Sequence, residues 1–169
     1  MQVLLTSTQL DMTIRRLAHQ LMEDGLDLDH TVFVAIQTKG VWIGNQLMDI
    51  LTELNLGRRP EYGTLDITFY RDDFRSELHA PKETSLFLSV EGKRVILIDD
   101  VLHTGRTIRA ALDALQDFGR PQKVQLLVLV NRRLHRELPI QPDYCGLDTD
   151  TTLAQRVKVE WDRKEVVIY

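Results

Sequence analysis

Three apolar runs, each separated from the next by a segment of helical period, limit what this chain can fold into. Residues 31–36, 94–99 and 124–130 are rich in Val, Ile and Leu with little polar alternation, the composition of strands covered on both faces. Before the first run, residues 8–23 place Leu10, Ile14, Leu17, Ala18 and Leu21 at three-to-four spacing, and Thr6, Ser7 and Thr8 offer capping oxygens. A second helix is predicted after Gly40, with Ile43, Leu47, Ile50, Leu51 and Leu54 inward, and a third over 106–118, closed by Gly119 and Pro121. A further strand is predicted over 64–69. The tail, 156–169, suggests two short strands in a hairpin around Asp162 and Arg163. Alternating strand and helix implies an α/β fold: a mainly parallel sheet with helices on both faces, plus a small C-terminal hood of short strands. In such sheets ligands sit beyond the carboxyl ends of the strands.

A length of 169 residues suits one domain over 1–169. The apolar fraction of 43% is enough for a real core. A net charge of −4 argues against a surface devoted wholly to nucleic acid, though a local basic patch remains compatible with it. One cysteine, Cys145, excludes an internal disulfide framework and a zinc site made of cysteines alone. The start of the chain lacks a signal-peptide pattern, and no run approaches the roughly 18 apolar residues of a membrane span, so a cytoplasmic protein is expected. Residues 70–93 are polar and charge-rich, with Pro81 and Gly92 as breakers; stretches this long are either functional lids or disordered.

The chemistry is concentrated in residues 95–107. The strand ends in two acids, Asp99 and Asp100, and a small-residue turn, Thr104-Gly105-Arg106-Thr107, then opens a helix. Successive backbone N–H groups at a helix amino terminus favour a phosphate, and Gly105 lets the backbone approach it. Carboxylates accept from sugar hydroxyls and anchor hydrated Mg²⁺. Together they describe a pocket for a phosphorylated ribose; the plain alternative is an ordinary strand-to-helix turn with Thr104 as its cap and two solvated acids.

This run resembles the phosphoribosyl-diphosphate signature of the type I phosphoribosyltransferases. The resemblance implies that Asp99 and Asp100 hold the ribose hydroxyls, with Mg²⁺ bound nearby through substrate and water, and that Thr104, Gly105, Arg106 and Thr107 hold the 5′-phosphate. Four stretches are similar to one branch, bacterial regulators of pyrimidine-operon attenuation that are also uracil phosphoribosyltransferases: residues 36–40, 65–73, 106–121 and 135–146. The likeness runs from about Ile14 to the tail. It places the diphosphate loop at Thr38, Lys39 and Gly40, with Arg132 beside it. A mobile loop would begin at Tyr70-Arg71-Asp72-Asp73, with Arg71 as a catalytic cation for the departing diphosphate. The base side would comprise Arg132, Arg136 and Ile140. One departure stands out. Where relatives carry an acid, an arginine and a glycine, this chain reads Asn131-Arg132-Arg133-Leu134, with an amide for the acid and one extra residue before His135; amides are weaker ligands for hard cations.

The implied reaction joins uracil to 5-phosphoribosyl 1-diphosphate, giving UMP and diphosphate, with Mg²⁺ as cofactor, in a homo-oligomer of at least two copies. A second expectation is RNA binding to pyrimidine-operon leader mRNA through Arg15, Arg16, His19, His135 and Arg136; the alternative is a scattered, solvated charged face. Two other readings remain: a purine phosphoribosyltransferase, since 95–107 does not select the base, and an RNA-binding regulator with little catalysis. Trp42 and Trp161 read as packing or interface residues and Cys145 as an inert thiol. His103 lies inside the signature, where the branch often has tyrosine, and receives no proton-transfer role.

Overall fold

A computed structural model describes residues 1–72 and 89–169. In chain order the first elements are β1 (Gln2–Leu5), α1 (Ser7–Glu23), β2 (Thr31–Ile36), α2 (Lys39–Leu54) and β3 (Glu61–Leu65). They are followed by β4 (Arg94–Leu102), α3 (Arg106–Leu115), β5 (Lys123–Arg132), β6 (Tyr144–Thr149), β7 (Val157–Glu160) and β8 (Glu165–Ile168). β3-β2-β4-β5-β6 form a five-stranded sheet in that order, and every neighbouring pair is parallel.

The apolar runs are explained by this double cover. Phe33, Ala35, Ile96, Ile98, Leu127 and Leu129 meet Leu10, Ile14, Leu17 and Leu21 of α1 and Ile43, Leu47 and Leu51 of α2. The intervening residues Val32, Val34, Val95, Leu97 and Val128 face the other way, against Ile108, Ala111 and Leu115 of α3. Helix α1 begins where its oxygens predict: Thr6 accepts from the Gln9 amide, and Gln9 Oε1 accepts in return from the Thr6 N–H at 2.9 Å. Ile50 and Leu54 of α2 are only partly buried at the margin of that core.

Two predicted boundaries move and one strand is added. The strand expected over 64–69 lies at Glu61–Leu65 instead. Asp66 Oδ1 accepts from both the N–H and the hydroxyl of Thr68, at 2.8 and 2.6 Å, and turns the chain into a 3-10 turn, Thr68–Tyr70. β4 does not stop at Asp99; it continues to Leu102 because β5 runs beside it, with Asp99 opposite Val128 and Leu102 opposite Asn131. β6, with Gly146 and few β-branched residues, carries no strand pattern and was not expected. Of the irregular stretch, residues 73–88 lie outside the described residues, so most of the expected lid does too. Its end is anchored, since Val90 is buried and its N–H donates to the Phe118 carbonyl at 3.1 Å.

The tail forms the expected hairpin, β7 and β8 turning over 161–164, and β1 adds to β8 to make a separate three-stranded antiparallel sheet. Trp161 in the turn stacks at 4.7 Å on Trp42 of α2, which fastens this hood to the helical layer. Both tryptophans therefore pack. Among the described residues no helix is long and apolar enough to cross a membrane.

The start of α2 lies directly on β4. A Cβ added to Gly40 would stand 2.4 Å from the Ile98 carbonyl oxygen, so only glycine permits this approach. Gly40→Ala is therefore expected to lower unfolding stability by about 2 kcal/mol in urea titration; a loss under about 0.5 kcal/mol would show that the helix yields without cost.

Candidate active site

The sheet reverses its direction of growth between β2 and β4: the chain passes from β2 outward to β3, then returns across β2 to place β4 and β5 on the other side. Loops leaving the carboxyl ends of β2 and β4 diverge there and leave a crevice. A cavity of about 540 Å³ occupies it. Thr38 and Lys39 line it from the β2 side, Asp99 and Asp100 from β4, and Arg71 and Thr107 from the connections beyond. Six of the expected site residues thus surround one space. The Gln37–Thr38 peptide at its wall is cis.

Asp99 and Asp100 are each 6% exposed. Burial pushes the Asp99 carboxyl well above its ordinary value, the neighbouring Asp100 charge pushes the same way, and Lys39 pulls it back. Burial also raises Asp100, again opposed by the Lys39 ammonium. Asp99 Oδ1 accepts from the Asp100 N–H at 2.9 Å and Asp100 Oδ1 from the Val101 N–H at 2.8 Å. Asp100 Oδ2 is buried with no hydrogen-bond partner among the described residues. A carboxylate oxygen carried into the interior and left unmatched costs free energy unless a donor or cation meets it.

The turn after β4 lies beside this crevice, with His103 before it and Thr107 after it on the wall. Gly105 has φ +94°, a left-handed conformation, and a Cβ there would meet Ile140 Cδ1 at 3.3 Å. Arg71 Nη1 donates to the Thr107 hydroxyl at 3.4 Å, bringing the loop cation to the start of α3. The Arg106 side chain turns outward, to Glu137 at 2.5 Å and Asp72 at 3.1 Å, so its backbone rather than its guanidinium belongs to the turn.

Other expected site residues sit elsewhere. Arg132 is buried: its Nε donates to Thr151 Oγ1 at 2.8 Å and its Nη2 to the Gln155 carbonyl at 3.0 Å, which ties β5 to the segment entering the hood. Arg136 and Ile140 do not line the crevice; they border a second hollow of about 690 Å³ between residues 138–142 and β6. Asn131 explains its own departure from the acid: Nδ2 donates to Asp148 Oδ1 at 2.8 Å while Oδ1 accepts from Arg136 Nη2 at 2.5 Å. An acid could do only the second. The basic edge is largely engaged as well. Arg15 pairs with Glu53 at 3.3 Å, Arg16 donates to the Gly146 carbonyl at 2.6 Å, and Arg133 grips Asp150 at 2.9 and 2.6 Å. No described hydrogen bond or ion pair joins Arg15, Arg16 or the exposed His19 to His135 or Arg136.

Sequence reading passed over several wall residues. Gln37, Asp66 and Val157 line the crevice. The signal for the first two was position, one residue beyond the ends of β2 and β3; Val157 comes from the hood, and no local pattern announces it. His103 also lines the crevice, its Nε2 buried and unpartnered among the described residues. Burial and the charges of Arg132, His135 and Arg136 lower its pKa. Cys145 is raised to about 11 by burial and by Asp148, in keeping with an inert thiol.

No group of three or more His, Cys, Asp or Glu among the described residues gathers to hold a metal. A magnesium ion needs no such cage, since it is commonly bound by one or two carboxylates together with water and substrate phosphates. The unmatched Asp100 oxygen beside Asp99 fits that requirement.

A family model described as "Phosphoribosyl transferase domain" matches residues 3–163. The "Bifunctional protein PyrR" of Microcystis aeruginosa is 45% identical over 92% of this chain and 88% of that protein. Its counterpart in Haemophilus ducreyi is 44% identical over 98% and 93%. Among solved structures, the hypoxanthine phosphoribosyltransferase of Trypanosoma cruzi superposes with a TM-score of 0.72, over 99% of this chain and 95% of that one, at 16% identity, a likeness of fold.

Raised carboxyl pKa values have a defined sign. The folded state holds its proton more tightly than the unfolded chain, so these groups contribute stability below the unfolded value, near 3.8, and lose it as pH rises through the folded value. Asp99→Asn is accordingly expected to raise the melting temperature of the ligand-free, magnesium-free protein at pH 7 by roughly 2–4 °C, an advantage that disappears on acidification below about pH 4. An unchanged or lowered melting temperature at pH 7 would contradict the burial of a costly charge.

Proposed function

The chain belongs to the phosphoribosyl transferase family, and from that premise we propose that it transfers the phosphoribosyl group of 5-phosphoribosyl 1-diphosphate to uracil, forming UMP and diphosphate. The observation that carries this reading is the juxtaposition, at one crevice, of a buried acid pair with Lys39, Arg71 and Thr107, the last on the helix that the glycine turn opens. Donors and acceptors there match a sugar that is phosphorylated at one end and hydroxylated in the middle. The protein works as one domain over 1–169, in a cytoplasmic homo-oligomer.

In this mechanism the bond from the anomeric carbon to the diphosphate oxygen weakens ahead of full attack by the uracil nitrogen, so the sugar becomes oxocarbenium-like. No protein nucleophile is needed. Asp99 and Asp100 accept from the ribose hydroxyls, and the amides of Thr104, Gly105, Arg106 and Thr107 hold the 5′-phosphate, fixing both ends of the ring while the central bond breaks. Lys39 and the amides at Thr38 and Gly40 take the diphosphate, joined by Arg71, whose guanidinium offsets charge developing on the leaving oxygen. Asp99 and Asp100 would hold a magnesium ion here, through water, and the ion would supply further charge neutralisation at the diphosphate. Closure of the crevice excludes water, which would otherwise hydrolyse the activated sugar.

The word "bifunctional" in the relatives' names supports a second activity: uridine-nucleotide-dependent binding to pyrimidine-operon leader mRNA, in attenuation of pyrimidine genes. Arg15, Arg16 and His19 on α1 are its first candidates, and phosphate contact there competes with the Glu53 ion pair and the β6 carbonyls. A gel shift with leader RNA at low salt, with and without UMP, is expected to show a complex that UMP strengthens; no shift would leave the transferase alone.

Asp100→Asn and Thr104→Ala are each expected to cut turnover by roughly 10²-fold or more while preserving the folding transition. Uracil, guanine and hypoxanthine assayed in parallel with labelled 5-phosphoribosyl 1-diphosphate should give product with uracil. Near wild-type rates in both variants would overturn the site, and product with the purines alone would make this a purine enzyme.

A further inference from the structure

The segment expected to meet the base grips the phosphate turn from behind. Arg136 Nη1 donates to the His103 carbonyl. The Thr104 carbonyl accepts from the Glu137 N–H at 3.0 Å and the Leu138 N–H at 3.2 Å. In a planar trans peptide the carbonyl and the following N–H point in opposite directions. Fixing the carbonyls of His103 and Thr104 on the 136–138 side therefore turns the N–H groups of Thr104 and Gly105 away from it. Those amides find no acceptor among the described residues.

Resting on the phosphoribosyl-transfer reading above, we infer that Arg136 is a positioning residue for the 5′-phosphate cradle, held in place by Asn131 and, behind it, Asp148. Three contacts run in series: Asp148 accepts from Asn131 at 2.8 Å, Asn131 accepts from Arg136 at 2.5 Å, and Arg136 donates to the turn. The amide at 131 suits this role because the middle member must donate on one side and accept on the other. A guanidinium suits the next position, since its two terminal nitrogens serve two acceptors at a fixed separation, which a lysine ammonium does not reproduce. The extra residue before His135 falls in the connection between Asn131 and Arg136, and His135 takes φ +65° there.

The test is kinetic. Arg136→Met keeps the aliphatic stem and removes both hydrogen bonds; Asn131→Leu removes only the support behind the guanidinium. Both should raise KM for 5-phosphoribosyl 1-diphosphate, Arg136→Met by about tenfold or more and Asn131→Leu less, with KM for uracil within about twofold of wild type. Arg136→Lys should fall between Arg136→Met and wild type. Because the contacts act in series, the double variant should be no worse than Arg136→Met alone. A raised uracil KM with unchanged phosphoribosyl-diphosphate KM would place Arg136 at the base and overturn the inference, as would additive single effects or no change in either constant. Should Arg136→Met fail to fold, Asn131→Leu and Arg136→Lys carry the same comparison. Wild-type protein that gives no heat of binding with 5-phosphoribosyl 1-diphosphate and magnesium would instead defeat the underlying functional reading.

Discussion

β4 carries two carboxylates into the interior just beyond its last pairing with β2, Ala35 opposite Ile98, and the arrangement around the crevice answers that constraint. With water excluded, each acid must find a local donor or wait for a ligand. Backbone N–H groups of Asp100 and Val101 satisfy one oxygen of each acid, and Lys39 sets a positive charge nearby. One Asp100 oxygen is left without a partner among the described residues. A fold selected only for stability would fill that position with an apolar side chain; retaining the charge accords with the proposed site, where sugar hydroxyls and magnesium would supply what the protein does not.

The second constraint is directional. The proposed anion site is made of backbone and needs its amides aimed, and a turn of four small or flexible residues does not aim itself. The structure fixes the outer side of the turn with the 136–138 segment and the inner side with the helix start, while Gly105 takes a backbone conformation that other residues adopt at a cost. Gly40 meets a comparable need on the opposite wall, bringing α2 onto the Ile98 carbonyl so that Thr38 and Lys39 arrive at the crevice.

Much of this was legible in the residues. The runs at 31–36 and 124–130 mark strands buried on both faces, and the periodicity of Leu10, Ile14, Leu17, Ala18 and Leu21 matches the face that α1 buries. The acid pair and the turn could be read because their residues are consecutive, so local chemistry and local geometry coincide. What escaped depends on partners distant in sequence. β6 is a strand because β5 offers it an edge, and β1 because β8 does. The strand predicted over 64–69 ends at Leu65 because Asp66 captures Thr68, a competition that an alternating pattern does not reveal. The resemblance directs Arg132 and Arg136 to ligands, but their orientations follow from Thr151, Gln155, Asn131 and the His103 carbonyl, none of which a local pattern reveals.

The claim that the acids read the ribose while the turn reads its phosphate is tested most directly by measuring calorimetric affinities for UMP and 2′-deoxy-UMP on the wild-type protein. The two ligands share base and phosphate and differ by one hydroxyl. A hydrogen bond to a charged acceptor contributes about 1.5–3 kcal/mol, so UMP should bind roughly tenfold or more tightly. Equal affinities would mean that the carboxylates do not hold that hydroxyl.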